Sequence, residues 1–217
     1  MLLFVKRKGG AVLESLVQSA AGTFVSLVPV TDPLGVVPLF YSLTSGSDEG
    51  HRRRQAGLAT IHVIWVLALF LLAGKLVLSF FGISLAVLRI AGGVLIAHTG
   101  WQMVRSSGEE DEVGGEGRGP VDIAFAPMAV PLVSGPGAIG VVIGLAAKSG
   151  GWMDTLGALA GIGLIGGLVY LCLRLGEPLL KLLGRTGTSV FNQLFGFLTV
   201  ALAVQFVVDG ALELVRR

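Results

Sequence analysis

The feature that most constrains this chain is an uncharged apolar run, residues 56–74 (AGLATIHVIWVLALFLLAG). A bilayer core about 30 Å thick needs roughly 20 apolar residues per helix, because each residue rises about 1.5 Å and every backbone polar group must be satisfied within the segment. The run meets that length and reads as a membrane span. Residues 83–104 (ISLAVLRIAGGVLIAHTGWQMV), interrupted by Arg89, and residues 154–173 and 190–209 read as three more. Composition agrees: 14% of residues are charged and 53% hydrophobic, against about 25% charged in an average soluble domain. The formal charge of +2 is scattered, so the contiguous cationic face that nucleic acid requires is not expected. A lone Cys172 excludes an internal disulfide, a Cys₄ zinc site and a CxxC redox pair.

Two further apolar stretches are punctuated in the middle. Residues 11–44 carry Pro29, Asp32, Pro33, Gly35 and Pro38, and residues 121–147 carry Pro127, Pro131, Gly135, Pro136 and Gly137. Proline removes a helix donor and clashes with the preceding turn, and glycine tolerates the dihedrals that follow. Each stretch is therefore expected to be a broken helix, giving six spans, with Lys6, Arg7 and Lys8 flanking the first. A cleaved signal peptide is not expected there, since Glu14, Ser15, Gln18 and Ser19 interrupt the apolar region it would need. Loops 45–55, 105–120 and 174–189 hold Arg52, Arg53, Arg54, Arg105, Arg118, Arg174, Lys181 and Arg185, against Lys75 and Lys148 in the two opposite loops. The positive-inside rule then places those three loops in the cytoplasm and both termini outside, an asymmetry that the basic residues of the tails reduce.

A repeat runs through the chain. Pro33 and Pro136, Gly93 and Gly196, and Gln102 and Gln205 share an offset of 103 residues without gaps, as do Arg89 and Asn192. This divides the chain into a first three-helix repeat, residues 1–104, a flexible acidic Gly-rich loop, 105–120, and a second repeat, 121–217. An odd number of crossings per repeat inverts the second half in the membrane. The expected fold is thus an all-α polytopic membrane protein of six transmembrane helices in two inverted repeats, helices 1 and 4 broken at Pro/Gly motifs.

Inversion brings both breaks near the bilayer midplane, where freed backbone is tolerated only if it is buried or lines a polar cavity. The half-helix N-termini after Pro33 and Pro136 attract an anionic group, and carbonyls near Val28, Val30, Val130 and Leu132 suit a cation, so a zwitterion satisfies both. The expected substrate-binding residues are Thr31, Asp32, Pro33, Gly35, Ser134, Gly135, Pro136 and Gly137, the glycines leaving room for only a short side chain. Asp32, an ionisable group at depth, is the candidate for proton coupling and also suits the cap of the half-helix that follows it. Arg89 and Asn192 either line the same cavity or bond neighbouring carbonyls. Gly93, Ile96 and Gly100 share a face with Arg89 within about 40°, and Gly196, Thr199 and Ala203 share one with Asn192; both stripes read as helix-packing surfaces. Ser134 with His62 or His98 would supply ingredients of an intramembrane protease, but the G-x-S-G turn is absent, position 132 being Leu. No metal-ligand cluster, phosphate loop or nucleotide motif is present, so neither catalysis nor a cofactor is expected.

The runs VTDPLGVVPLFYSLT (30–44), FGISLAVLRIAGGVLIAHTGWQM (81–103), AVPLVSGPGAIGVVI (129–143) and LFGFLTVALAVQFVVDGALELV (194–215) together resemble the MarC family of integral membrane proteins, over essentially the whole chain. That family is similar to the LysE-type transporters and includes SnatA-like carriers of small neutral amino acids. The resemblance implies a multi-pass protein of the cytoplasmic membrane and secondary transport of glycine or alanine, with H+ or Na+ as coupling ion. Its expected partners are that substrate and the lipid bilayer, and oligomers are compatible with it. The alternatives are an exporter of another small solute, or a structural or regulatory membrane protein without flux.

Overall fold

Helices follow the apolar runs and break at residues 32–35 and 134–135, while Pro29 and Pro38 are accommodated within helices. The computed structural model describes residues 2–44, 46–105 and 122–216, and all regular structure among these is helical. The elements are α1 (Leu2–Thr31), α2 (Val36–Leu43), α3 (Glu49–Phe80), α4 (Leu85–Arg105), α5 (Ala124–Val133), α6 (Pro136–Lys148), α7 (Trp152–Arg174) and α8 (Gly176–Val215). The expected acidic loop falls almost wholly outside the described residues. Both expected breaks are present, between α1 and α2 and between α5 and α6.

By length and composition, four segments among the described residues can cross a membrane: Leu13–Thr31, Glu49–Phe80, Trp152–Arg174 and Ser189–Val215. The α4 segment, expected as a span, is not among them. Its 21 residues reach about 31 Å, but Arg89, His98, Gln102 and Arg105 dilute the apolar run. The expected loop 174–189 is also revised, since α8 begins at Gly176 and is broken only at Gly184, where φ is +63°.

Helix directions follow from which glycine meets which neighbour. A Cβ on Gly157 would touch Leu16, Ser19 and Ala20, and one on Gly161 would touch Ala20 and Thr23, so α7 runs parallel to α1. Gln55 accepts a hydrogen bond from the Ile123 N–H at 3.2 Å and Gly74 adjoins Ile143, so α3 runs parallel to α5 and α6. The most extensive packing is between α4 and α8, which are antiparallel, with Gly93 against Ala203 and Val207 and Gly100 against Gly196 and Val200. Lipid is as apolar as leucine, so such helices associate through close packing and interhelical hydrogen bonds rather than through the hydrophobic effect. The stripes expected from sequence therefore face each other. Trp65, Leu72 and Phe80, by contrast, point outward at 66%, 62% and 81% exposure, as side chains facing lipid do.

At the membrane edge, Asp154 Oδ1 accepts from Ser15 Oγ at 2.6 Å and joins α7 to α1. Arg52 donates to Thr44 Oγ1 and to Thr44 O, both at 3.2 Å, and so satisfies the C-terminal end of α2. Glu14 and Asp122 are exposed, as expected near span ends.

Candidate functional site

The first break is organised by Asp32. Its φ of +40° is the one positive value at a non-glycine among the described residues; Asp tolerates that region because its short side chain bonds local backbone. Here Oδ1 accepts from the Gly35 N–H at 3.1 Å, and the Asp32 carbonyl accepts from the Val36 N–H at 3.3 Å. A Cβ on Gly35 would collide with the Asp32 carboxylate. Gly35 thus leaves room for the Asp32 carboxylate. The capping role expected for Asp32 is present.

Behind the break, Pro33 has no N–H, so the Pro29 carbonyl four residues back loses its helical donor. Thr199 of α8 replaces it, its Oγ1 donating to Pro29 O at 2.9 Å, both residues being buried. Thr31 is buried as well, and its Oγ1 donates to Leu27 O at 2.9 Å. The Val28 carbonyl, expected to be free for a cation, accepts from the Asp32 N–H at 3.2 Å.

The second break is built differently. Pro127 and Pro131 cannot donate, and Ala126 and Val130 before them are extended, with φ of −127° and −132°, as residues preceding proline tend to be; Met128 N–H reaches Ile123 O at 3.2 Å and Ser134 N–H reaches Ala129 O at 2.8 Å across them. Each of these five-residue bonds spans an extended residue, so the segment is interrupted at both prolines. Gly135 follows in an extended conformation, and α6 opens on Pro136 with no side-chain cap. Ser134 is fully buried, and its Oγ has no hydrogen-bond partner. It is bonded to neither His62 nor His98. The His62 ring lies edge-on to Phe125 at 5.4 Å, and His98 is exposed beside Gln102 at 2.9 Å.

The two breaks adjoin each other at the middle of α4. A Cβ on Gly137 would meet Ile96 at 2.9 Å and Val30 at 3.1 Å, so Gly137 serves close packing in this conformation. Arg89 and Asn192 are not at that level. Arg89 is seven residues before Ile96 on α4 and Asn192 seven before Thr199 on α8, each about 10 Å along its helix. Because the helices are antiparallel, the two residues lie toward opposite ends of the pair. Arg89 Nη1 donates to Glu213 Oε2 at 2.5 Å, bordering a cavity of about 400 Å³ with Asp209, Leu212 and Arg216. It therefore pairs with a carboxylate, where sequence alone left a cavity lining and a carbonyl bond as the two readings. Asn192 Oδ1 is buried without a partner.

Thr199, Gln55 and Glu213 are the contributors that sequence reasoning did not assign. The missing donor at Pro33 is a signal that some hydroxyl must reach Pro29, but not which one.

Spanning helices, an outward apolar belt and interrupted helices meeting within the bundle define a polytopic helical membrane protein. Over residues 17–215 the chain matches the MarC family of integral membrane proteins, and it belongs to that family. It is similar to the inner membrane protein MarC of Salmonella paratyphi A, at 32% identity over 206 residues, covering 88% of this chain and 93% of that protein. The inner membrane protein MarC of Citrobacter koseri is likewise 32% identical over 208 residues, with coverage of 88% and 93%. A membrane protein of Buchnera aphidicola is 30% identical over 187 residues, covering 86% and 89%. No solved structure matches. The chain is a multi-pass protein of the inner membrane.

Proposed function

We propose that this chain is a secondary transporter of small neutral amino acids, glycine and alanine, working by alternating access and coupled to a proton or sodium gradient. The observation that carries the reading is the meeting of two interrupted helices at mid-depth, with Gly137 of one against Val30 of the other. Interrupted helices expose backbone dipoles to a bound solute, and in lipid that cost is tolerated where a site uses it.

Inverted three-helix repeats, six spans in all, fit the contacts. Gly93 meets Ala203 and Val207, and Gly196 meets Gly100 and Val104; adding 103 to one member of each pair and subtracting it from the other converts the first set into the second. The parallel pairing of α1 with α7 and of α3 with α5 and α6 has the same exchange symmetry. One half would rock against the other around the breaks, and α6 would separate from α1 and α4 to admit substrate. Arg89 and Asn192 would then act on opposite sides of the site.

Counterflow of labelled glycine and alanine in proteoliposomes containing the purified chain tests the proposal. Saturable accumulation driven by internal unlabelled amino acid is expected, and its absence would overturn it. With Asp32→Asn, continued uptake that no longer follows an imposed pH gradient would assign the coupling proton to Asp32. Preserved coupling would remove that role.

A further inference from the structure

The two breaks differ in what satisfies the helix that follows. The N-terminus of α2 is occupied by the chain itself: Asp32 Oδ1 accepts from the Gly35 N–H at 3.1 Å, and the carboxylate fills the place of a Gly35 side chain. An anion approaching there meets a like charge. Helix α6 is 13 residues long, and its N-terminus carries no side-chain cap. Gly135 offers no side chain and Pro136 has no N–H, so the Gly137 and Ala138 N–H groups are the forward donors, carrying the positive end of the helix dipole. Two residues before Pro136 lies Ser134, fully buried, with its Oγ unpartnered.

A buried hydroxyl without a partner is costly, and a native structure retains one where something else supplies the bond. An uncapped helix N-terminus and an orphaned hydroxyl next to it in the chain ask for the same ligand chemistry: an acceptor with negative charge and at least two lone pairs. A carboxylate provides this, with one oxygen for the N–H groups and the other for Ser134.

We propose that Ser134 Oγ with the Gly137 and Ala138 N–H groups is the carboxylate subsite for the transported amino acid, and that the N-terminus of α2 takes no anion. The inference rests on the transporter reading and adds polarity to it. Substrate lies with its carboxylate toward α6 and its ammonium toward the Asp32 side, which Val30 joins to Gly137. The breaks thus differ in charge as well as in backbone.

The test is equilibrium binding of tritiated glycine to the purified full chain in detergent, with alanine, glycinamide and acetate as competitors. Glycinamide keeps the ammonium and lacks the carboxylate, so it should compete at least tenfold more weakly than alanine. Ser134→Ala should weaken glycine binding about tenfold, with elution profile and helix content unchanged, and Gly163→Ala, at an open position, should leave binding as it is. If Ser134→Ala fails to fold, the glycinamide comparison on the unaltered chain decides. Glycine binding that glycinamide matches, or that a folded Ser134→Ala retains within twofold, overturns the subsite alone. A chain that binds neither glycine nor alanine overturns the transporter reading, and the subsite with it.

Discussion

Thr199→Val probes the strut between the last helix and the first break. Valine replaces the hydroxyl by a methyl of similar volume, so packing changes little and the lost element is the donor to Pro29 O at 2.9 Å. Thr199 is 0% exposed, and water does not replace the donor. An unsatisfied buried acceptor costs about 1–3 kcal/mol in a soluble protein; interhelical hydrogen bonds in membranes average about 0.6 and reach about 1.7 kcal/mol. Since Pro33 removes the carbonyl's own helical donor, a value near the top of the membrane range, about 1.5 kcal/mol, is expected. Reversible unfolding in mixed micelles of dodecylmaltoside and SDS measures it. The cycle is closed with Pro33→Ala, which restores an N–H four residues after Pro29 and offers that carbonyl a substitute donor. In that background Thr199→Val should cost less than about 0.5 kcal/mol. A cost below about 0.3 kcal/mol in the unaltered chain, or an equal cost in both backgrounds, would refute the account.

Other perturbations separate roles that composition blurs. Gly100→Ala places a Cβ 2.8 Å from the Gly196 carbonyl oxygen and should destabilise by about 1–3 kcal/mol, whereas Gly163→Ala, with open space around it, should be neutral or stabilise by about 0.5–1 kcal/mol; the same unfolding assay reads both. Asp32→Gly should be tolerated better than Asp32→Ala, because φ of +40° suits glycine and strains alanine, and an order of thermal stability with alanine above glycine would contradict the strained cap. Arg89→Met should lower stability by about 1–2 kcal/mol, a discounted share of a buried pair's value because the two side chains are 12% and 30% exposed. The charge-swapped double variant Arg89→Glu with Glu213→Arg should recover part of that loss, measured by thermal denaturation in detergent.

The breaks were legible because their causes are local. Pro33 and Pro136 act on the turns they occupy, whatever surrounds them, and the cap expected of Asp32 is with Gly35, three residues away. The glycine stripes were legible as well, since helical periodicity puts Gly93 with Gly100 and Gly196 with Ala203 on one face each. Gly157 and Gly161 pack on α1 and Gly166 on α3, while Gly163 and Gly167 meet open space. A helix rich in glycine does not itself reveal which of its edges will be covered.

Arg89 has a partner that its own helix does not show. Within its own helix it has no acidic neighbour, so the available readings were a cavity or a carbonyl; its partner Glu213 is 124 residues away. What surrounds Gly35 and Gly137 was hidden for a related reason. A glycine shows that space is needed but not for what, and here the occupants are the Asp32 carboxylate and the side chains of Ile96 and Val30.

The sequence by itself determined that the chain enters the membrane and where its helices break, because hydropathy, proline and glycine act over one or two turns. Only the tertiary structure decided which donor rescues Pro29, which charge neutralises Arg89 and which of two similar breaks is left uncapped. Those outcomes depend on groups far apart in the chain. In lipid, where no water stands in for a missing partner, packing alone brings them within hydrogen-bonding distance.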